Sequence, residues 1–259
     1  MISELQIELT NVCNSNCQFC PRHSQTSTGK MSDKLYEKIL LDATKRGVES
    51  ITPTGFGEPF TDPQFIERVK LAHKIFPDAR MVIYTNGSLI KDEHILELAG
   101  IKKLHMAVSL NAARPETRKH LMGLDDFHKV KDTIDKIVAA GIQCRTTMVF
   151  FPSMTLEEAQ EFGSFHNPKI LRFQSFSGLT YRYKRIIPTS CKRLKEDLFF
   201  RWNGDATLCC FDVTSKVLFG NMNDCTIEEI WQKKSHYRAI HELHAGQTMK
   251  MCEACTEMG

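Results

Sequence analysis

The amino-acid sequence predicts an α/β fold, a parallel sheet that curls into a barrel or part of one, followed by a small tail of different character. Two observations carry this. Strand-like segments recur six times between residues 3 and 176, with helix-like segments between them. That alternation is the mark of parallel strands joined by right-handed crossovers. After about residue 180 it stops, and basic residues, prolines and cysteines replace it. The expected boundary lies at 183/184, giving units 1–183 and 184–259.

Each element has a local reason. ELQIELT (3–9) alternates apolar and polar residues and reads as a strand. Ser32 is a suitable N-cap for a helix over 32–47, which Gly47 stops. A second strand, 49–55, runs into a loop with Gly55, Gly57 and Pro59, and 62–76 is an amphipathic helix. RMVIYT (80–85) is a strand closed by the turn dipeptide Asn86-Gly87, and 92–100 is a short helix. The strand 103–110 leads to a polar loop, then come a helix over 127–141, a strand over 142–151, a helix over 155–166 and a strand over 169–176. In such folds reactive loops gather at the C-terminal ends of the strands. In the tail, LFFRWNGDATL reads as two short strands joined at Asn203-Gly204, and 226–243 as a helix.

Composition narrows the function classes. A net charge of +3 without basic runs does not suggest nucleic-acid binding, and no apolar stretch approaches the ~20 residues of a membrane span. The N-terminus lacks the pattern of a signal peptide, so the expected location is the cytoplasm and the expected state a monomer. Ten cysteines are then more in keeping with metal or redox work than with disulfides. Three fall at 13–20 and six between 191 and 255. That split points to two metal regions.

The first group, Cys13, Cys17 and Cys20, has the spacing Cys-x3-Cys-x2-Cys. Three thiolates on one loop suit three irons of a cubane cluster and leave the fourth open to an outside ligand. Free thiols, or a zinc site completed by His23, are the other readings of the spacing, and zinc usually takes its ligands as two pairs.

ELTNVCNSNCQFCPRH resembles the N-terminal motif of the radical S-adenosylmethionine (SAM) enzymes, CxxxCxΦC, with Phe19 at the aromatic place. TGFGEP (54–59) resembles the family's GGEP turn through Gly57, Glu58 and Pro59, with Phe56 in place of the first glycine. YTNG (84–87) resembles the third strand ending, and VSLNA (108–112) the fourth. The resemblance implies a partial (β/α)6, TIM-like barrel and a 4Fe–4S cluster on Cys13, Cys17 and Cys20. It implies SAM bound near Phe19, Gly57, Glu58, Asn86, Ser109 and Asn111, and cleaved by one electron to methionine and a 5′-deoxyadenosyl radical that abstracts hydrogen from a substrate. Many relatives pair the SAM carboxylate with an arginine beyond the fourth strand. Here Arg114, Arg118, Lys119 and Arg145 are nearby, none clearly at that step, and each by itself reads as a solvated surface charge.

The tail words NGDATLCC, FGN, EEIW and the closing CEAC resemble the SPASM/twitch auxiliary-cluster domains of the same family. Cys191, Cys209, Cys252 and Cys255 are the implied ligands of a second 4Fe–4S cluster, with Cys210 an alternative to Cys209. No cysteine follows Cys255 in this sequence, so the shorter twitch form is expected. Cys144 and Cys225 read as buried free thiols. Four thiolates saturate a cube, which implies electron transfer and a two-electron oxidation of the substrate. Modification of a peptide or protein side chain is the alternative, and a non-enzymatic zinc or RNA-associated protein the alternative of another class. Implied partners are a small-molecule or peptide substrate and an electron donor such as flavodoxin or ferredoxin. Tyr84, Met148, Arg172, Gln174 and Asp212 are candidates for lining the cavity, Arg172 and Asp212 for catalysis, with a turn-stabilising role the plainer reading of Asp212.

Overall fold

In a computed structural model, which describes residues 1–173, 176, 191–243, 252 and 255, the strand that precedes the first cysteine group lies inside one continuous sheet. The described strands are β1 (Ile2–Ile7), β2 (Val48–Thr52), β3 (Arg80–Thr85), β4 (Leu104–Ser109), β5 (Gln143–Phe150), β6 (Pro168–Arg172), β7 (Asp197–Phe200), β8 (Asp205–Thr207) and β9 (Leu218–Asn221). Their order is β6-β5-β4-β3-β2-β1-β7-β8-β9. All pairings from β6 across to β7 are parallel, and β8 and β9 add on antiparallel. The six sequential strands and their crossovers form the partial barrel, left open because β6 and β9 end the order rather than meeting.

Helices α1 (Asp33–Ala43), α2 (Phe65–Ile75), α3 (Asp92–Leu98), α4 (Pro115–Met122), α5 (Phe127–Ala139) and α6 (Leu156–Phe162) supply the crossovers. Alternate strand residues meet them. Leu5, Ile7, Ile51, Met81, Ile83, Met106, Val108, Cys144 and Met148 pack with Ile39, Phe65, Val69, Leu98, Ile134 and Phe162 in one buried core. Ser32 caps α1 by accepting the Leu35 N–H at 3.2 Å, as its position suggests. The other residues of the same strands turn away from the helices and are mostly polar: Gln6 donates to the Thr54 carbonyl, and Thr52 to Glu4. The inner face of the sheet is therefore a hydrophilic lumen.

Two elements differ from expectation. The polar loop after the fourth strand contains α4, begun by Pro115 and ended by Gly123 at φ 69°, the usual asymmetry of helix ends. The first strand of the tail hairpin, β7, pairs in parallel with β1, Leu5 opposite Leu198, so it extends the barrel sheet. The hairpin itself forms as expected, with β7 and β8 joined through Asn203-Gly204. α7 (Lys192–Glu196) precedes it, and α8 (Ile227–Leu243) follows β9. Among the described residues no helix is long and apolar enough to cross a membrane.

Candidate functional site

The loop after β1 is pinned at both ends and in its middle by hydrogen bonds. Asn11 anchors its two ends, accepting the Gly29 N–H and donating to the Ser27 carbonyl, each at 2.8 Å. Within it the Asn16 N–H donates to the Met122 carbonyl, the Gln18 N–H to the Leu121 carbonyl, and the Gln18 side chain to the His120 carbonyl. These three carbonyls end α4 and have no partner in their own helix. The helix that the sequence hid is thus the clamp of the cysteine loop.

Cys13, Cys17 and Cys20 are half-buried and close enough to influence one another. Burial pushes the Cys13 and Cys20 thiols up and that of Cys17 up to about 12. Sulfur held this way is released from its proton by a metal. Ser15 serves the sulfurs: its N–H donates to Cys13 Sγ at 3.4 Å, and its hydroxyl lies 3.0 Å from Cys17 Sγ. Among the described residues no three His, Cys, Asp or Glu side chains converge on a single-ion site. The His23 ring instead contacts the Cys17 carbonyl at 3.3 Å. A tetrahedral zinc ion needs four donors on one point, whereas a cube spreads three thiolates over three irons. The residues fit a cubane cluster.

The remaining strand ends close around this loop. A Cβ on Gly57 would lie 2.4 Å from the Thr10 carbonyl oxygen and 2.6 Å from that of Val12, so only glycine lets the second loop rest on the first. Next to it Glu58 is buried, accepting from Thr85 Oγ1 and the Asn86 N–H, both at 2.7 Å. Burial pushes its carboxyl up to about 7. Asn86 in turn donates to Asn14 Oδ1, inside the cysteine loop, at 2.8 Å. Ser109 and Thr147 exchange a hydroxyl contact at 3.3 Å across β4 and β5. Asn111, at φ 56°, accepts the Val149 N–H at 3.0 Å. Phe19 is half-buried, its ring centroid 6.1 Å from that of Phe151. All these positions share the C-terminal edge of the parallel strands.

Arg118 is the largest departure from the reading of a solvated charge. It is 0% exposed. Its guanidinium donates to Asp126, to the carbonyls of Asn86, Ser109 and Leu110, and to Ser88. One side chain so ties the ends of β3 and β4 to α4, with its donors spent on protein. Arg118→Met should weaken SAM binding about tenfold, or ~1.4 kcal/mol, by loosening Asn86 and Ser109. Lys119→Ala, which breaks only the exposed pair with Asp125, should leave the SAM affinity measured by equilibrium dialysis unchanged.

In the tail, Cys209 feels the charges of Cys210, Cys252 and Cys255, and Cys252 those of Cys255 and Cys191, so the four expected ligands lie together with the alternative Cys210. Cys210 accepts from the Arg193 guanidinium at 3.3 Å. Lys234 is buried among them and donates to the carbonyls of Arg193 and Asp197. Burial pushes its ammonium down to about 8, while the neighbouring cysteines and Asp197 oppose that. Within QKKSHY nothing in the sequence separates Lys234 from a solvated lysine. Cys144 is buried in the core, and Cys225 is half-buried against Gly220.

Both Asp212 oxygens accept backbone N–H groups, from Lys216 at 2.8 Å and Val217 at 2.9 Å. That is the geometry of an aspartate that holds a turn. Arg172 ends β6 opposite Phe150. Its side chain, and all of Gln174, lie outside the described residues.

A family model described as the radical SAM superfamily matches residues 7–165, and one described as an iron–sulfur cluster-binding domain, SPASM, matches residues 191–256. A curated relative, the GTP 3′,8-cyclase of Sulfurimonas denitrificans, is 27% identical over 188 residues, 71% of this chain and 55% of that protein. The chain spans about half the length of the curated relatives it matches. Among solved structures, Streptococcus suis SuiB bound to precursor peptide SuiA superposes with a TM-score of 0.76 at 18% identity, covering 92% of this chain and 67% of that one. BtrN in complex with AdoMet and 2-DOIA superposes with a TM-score of 0.64 at 18% identity, covering 100% and 94%. At such identity the likeness is one of fold.

Proposed function

The chain belongs to the radical SAM superfamily and carries a SPASM-type iron–sulfur domain, and on that footing we propose that it dehydrogenates its substrate by two electrons. It uses SAM and two 4Fe–4S clusters. Cys13, Cys17 and Cys20 would hold the first, and Cys191, Cys209, Cys252 and Cys255 the second. Held at the iron that the three thiolates leave open, SAM would supply the hydrogen-abstracting radical when reduced by one electron. The second cluster would supply the acceptor for the other electron of the oxidation, with the accompanying proton going to solvent. Residues 1–183 would bind and cleave SAM, and 184–259 would carry that electron.

The observation that carries this reading is the gathering of the tail thiols, four of which would leave no iron of the second cube open to the substrate. The protein's own part is positioning. Asn86, Ser109 and Asn111 are held by Glu58, Arg118 and Val149, and so would keep the strand ends around SAM in fixed positions. Phe19, inside the cysteine loop, packs against Phe151 and would shield that side of the cluster from water. The relatives named for GTP supply a first compound to try, and a flavodoxin or ferredoxin is the reductant of choice. Modification of a peptide side chain would use the same machinery.

Anaerobically reconstituted protein should be brown, hold about eight irons and form 5′-deoxyadenosine from SAM with dithionite. The Cys252→Ala/Cys255→Ala double variant should keep that reaction and lose substrate oxidation. Colourless protein loaded with zinc would sink the proposal.

A further inference from the structure

The inner face of β3, β4 and β5 carries three basic side chains, Arg80, His105 and Arg145, that make no ion pair among the described residues. Arg80 and Tyr84 of β3, His105 of β4, and Gln143 and Arg145 of β5 line, with Asn167, a cavity of about 280 Å³. No aspartate or glutamate is among its lining residues. The register brings the groups together: Tyr84, Ala107 and Arg145 form one row, and Val82, His105 and Gln143 the row beneath it. Arg145 donates to the Tyr84 hydroxyl at 3.1 Å, and its guanidinium lies 5.6 Å from the centre of that ring. That contact fixes one edge of a planar fork whose other donors face the cavity.

Two guanidinium groups and an imidazole around one space repel each other. The His105 imidazole registers that field: burial first, then the charges of Arg80 and Arg145, push its pKa down. Among the described residues, the carboxylates Glu4 and Asp197 stand opposite each other on β1 and β7, at the other side of the sheet. An arrangement of this kind is stabilised when a ligand brings the missing negative charge, and forked arginine donors match the oxygens of a carboxylate or phosphate.

We infer that this cavity binds an oxyanion of the substrate, a carboxylate or phosphate, and so holds the end of the molecule remote from the reacting carbon. This rests on the proposed function only in placing the chemistry at the strand-end loops. Along β4, His105 lies four residues below Ser109, about 13 Å at strand rise. The volume is just under the ~300–1,000 Å³ of whole-ligand sites, which suits one end of a substrate whose other end reaches the edge where SAM would bind. Arg145 was a candidate for the SAM carboxylate on sequence grounds. Here it lies in the row beneath Ser109 and Thr147 and beside Tyr84.

The experiment is calorimetric titration of the SAM-loaded holoenzyme with inorganic phosphate and, separately, with acetate. Saturable one-to-one binding of either anion is expected, and the better of the two names the group. Arg145→Gln and Arg80→Gln should each weaken it about tenfold or more. Arg145→Lys, which keeps the charge but loses the fork, should weaken it less than Arg145→Gln does. The affinity for SAM and the yield of 5′-deoxyadenosine with dithionite should not change in any variant. Absence of saturable binding by both anions overturns the inference. So does a loss of SAM affinity in Arg145→Gln with anion binding intact, which would assign that arginine to the cofactor. Tyr84→Phe, which leaves every charge in place, shows whether a folded protein with a loosened Arg145 binds the anion more weakly. Unchanged binding there and in both glutamine variants overturns the inference as well. Failure of the wild-type protein to cleave SAM would defeat the proposed function while leaving the anion titrations readable.

Discussion

Cys17→Ala should abolish 5′-deoxyadenosine formation and cut the iron content of the reconstituted protein by half, from about eight to about four. The half that remains belongs to the tail. A cube on the first loop needs three protein thiolates, and Cys17 is the central one, in contact with Ser15 on one side and linked through its carbonyl to the Cys20 N–H on the other. Removing it leaves two sulfurs that cannot bracket three irons, so the loss is all-or-none rather than graded. Cys144→Ala is the control. That thiol lies in the core under β5, and its replacement should leave iron and turnover intact while costing about 1 kcal/mol of stability from lost packing. Iron assay and anaerobic turnover of the two variants side by side separate ligation from general damage. Equal iron in Cys17→Ala and wild type would remove that residue from the ligand set.

The second large effect lies where the barrel meets the tail. Glu8, at the end of β1, is 0% exposed and accepts from Arg201 Nε at 2.8 Å and from the Phe56 N–H at 2.9 Å. Arg201, just past β7, also donates to the Val213 carbonyl, and its guanidinium lies 5.3 Å from the centre of the Phe56 ring. Arg201→Met leaves a carboxylate in the interior without its counter-ion, a change that typically costs 3–5 kcal/mol. For a chain of this size that is roughly 10 °C in melting temperature. The deficit should shrink at low pH. Burial already raises the pKa of Glu8, and removing Arg201, which lowers it, raises it further. A group with a raised folded pKa adds stability below its unfolded value and loses it as pH rises through the folded one. The variant should therefore approach wild type as pH falls towards the ordinary carboxylate range. Anaerobic thermal melts of both proteins between pH 5 and 8 read this directly, and parallel curves would mean that Glu8 is not the seat of the loss.

What could be read from the sequence was local in the chain. Cys13, Cys17 and Cys20 lie within eight residues, and Gly57, Glu58 and Asn86 sit in turn words directly after strands, so spacing alone exposes them. The order of the six barrel strands followed from their alternation with helices. The partners of these residues were not readable. Arg118 looks like any charge in a polar segment, because its acceptors are mostly backbone carbonyls of β3 and β4, which carry no sequence signature. Glu8 and Arg201 are 193 residues apart, and a glutamate at a polar position of an alternating strand reads as solvent-facing when the strand that covers it is unknown. α4 was concealed by its shortness and by the polar run Glu116–His120 through its middle, although Pro115 and Gly123 marked both its ends.

The clamp between α4 and the first cysteine loop has one more consequence. With the Asn16 and Gln18 amides committed to helix carbonyls, the cysteine loop is moored to the end of α4. A substitution that displaces that helix end would therefore respace the three sulfurs without touching a cysteine.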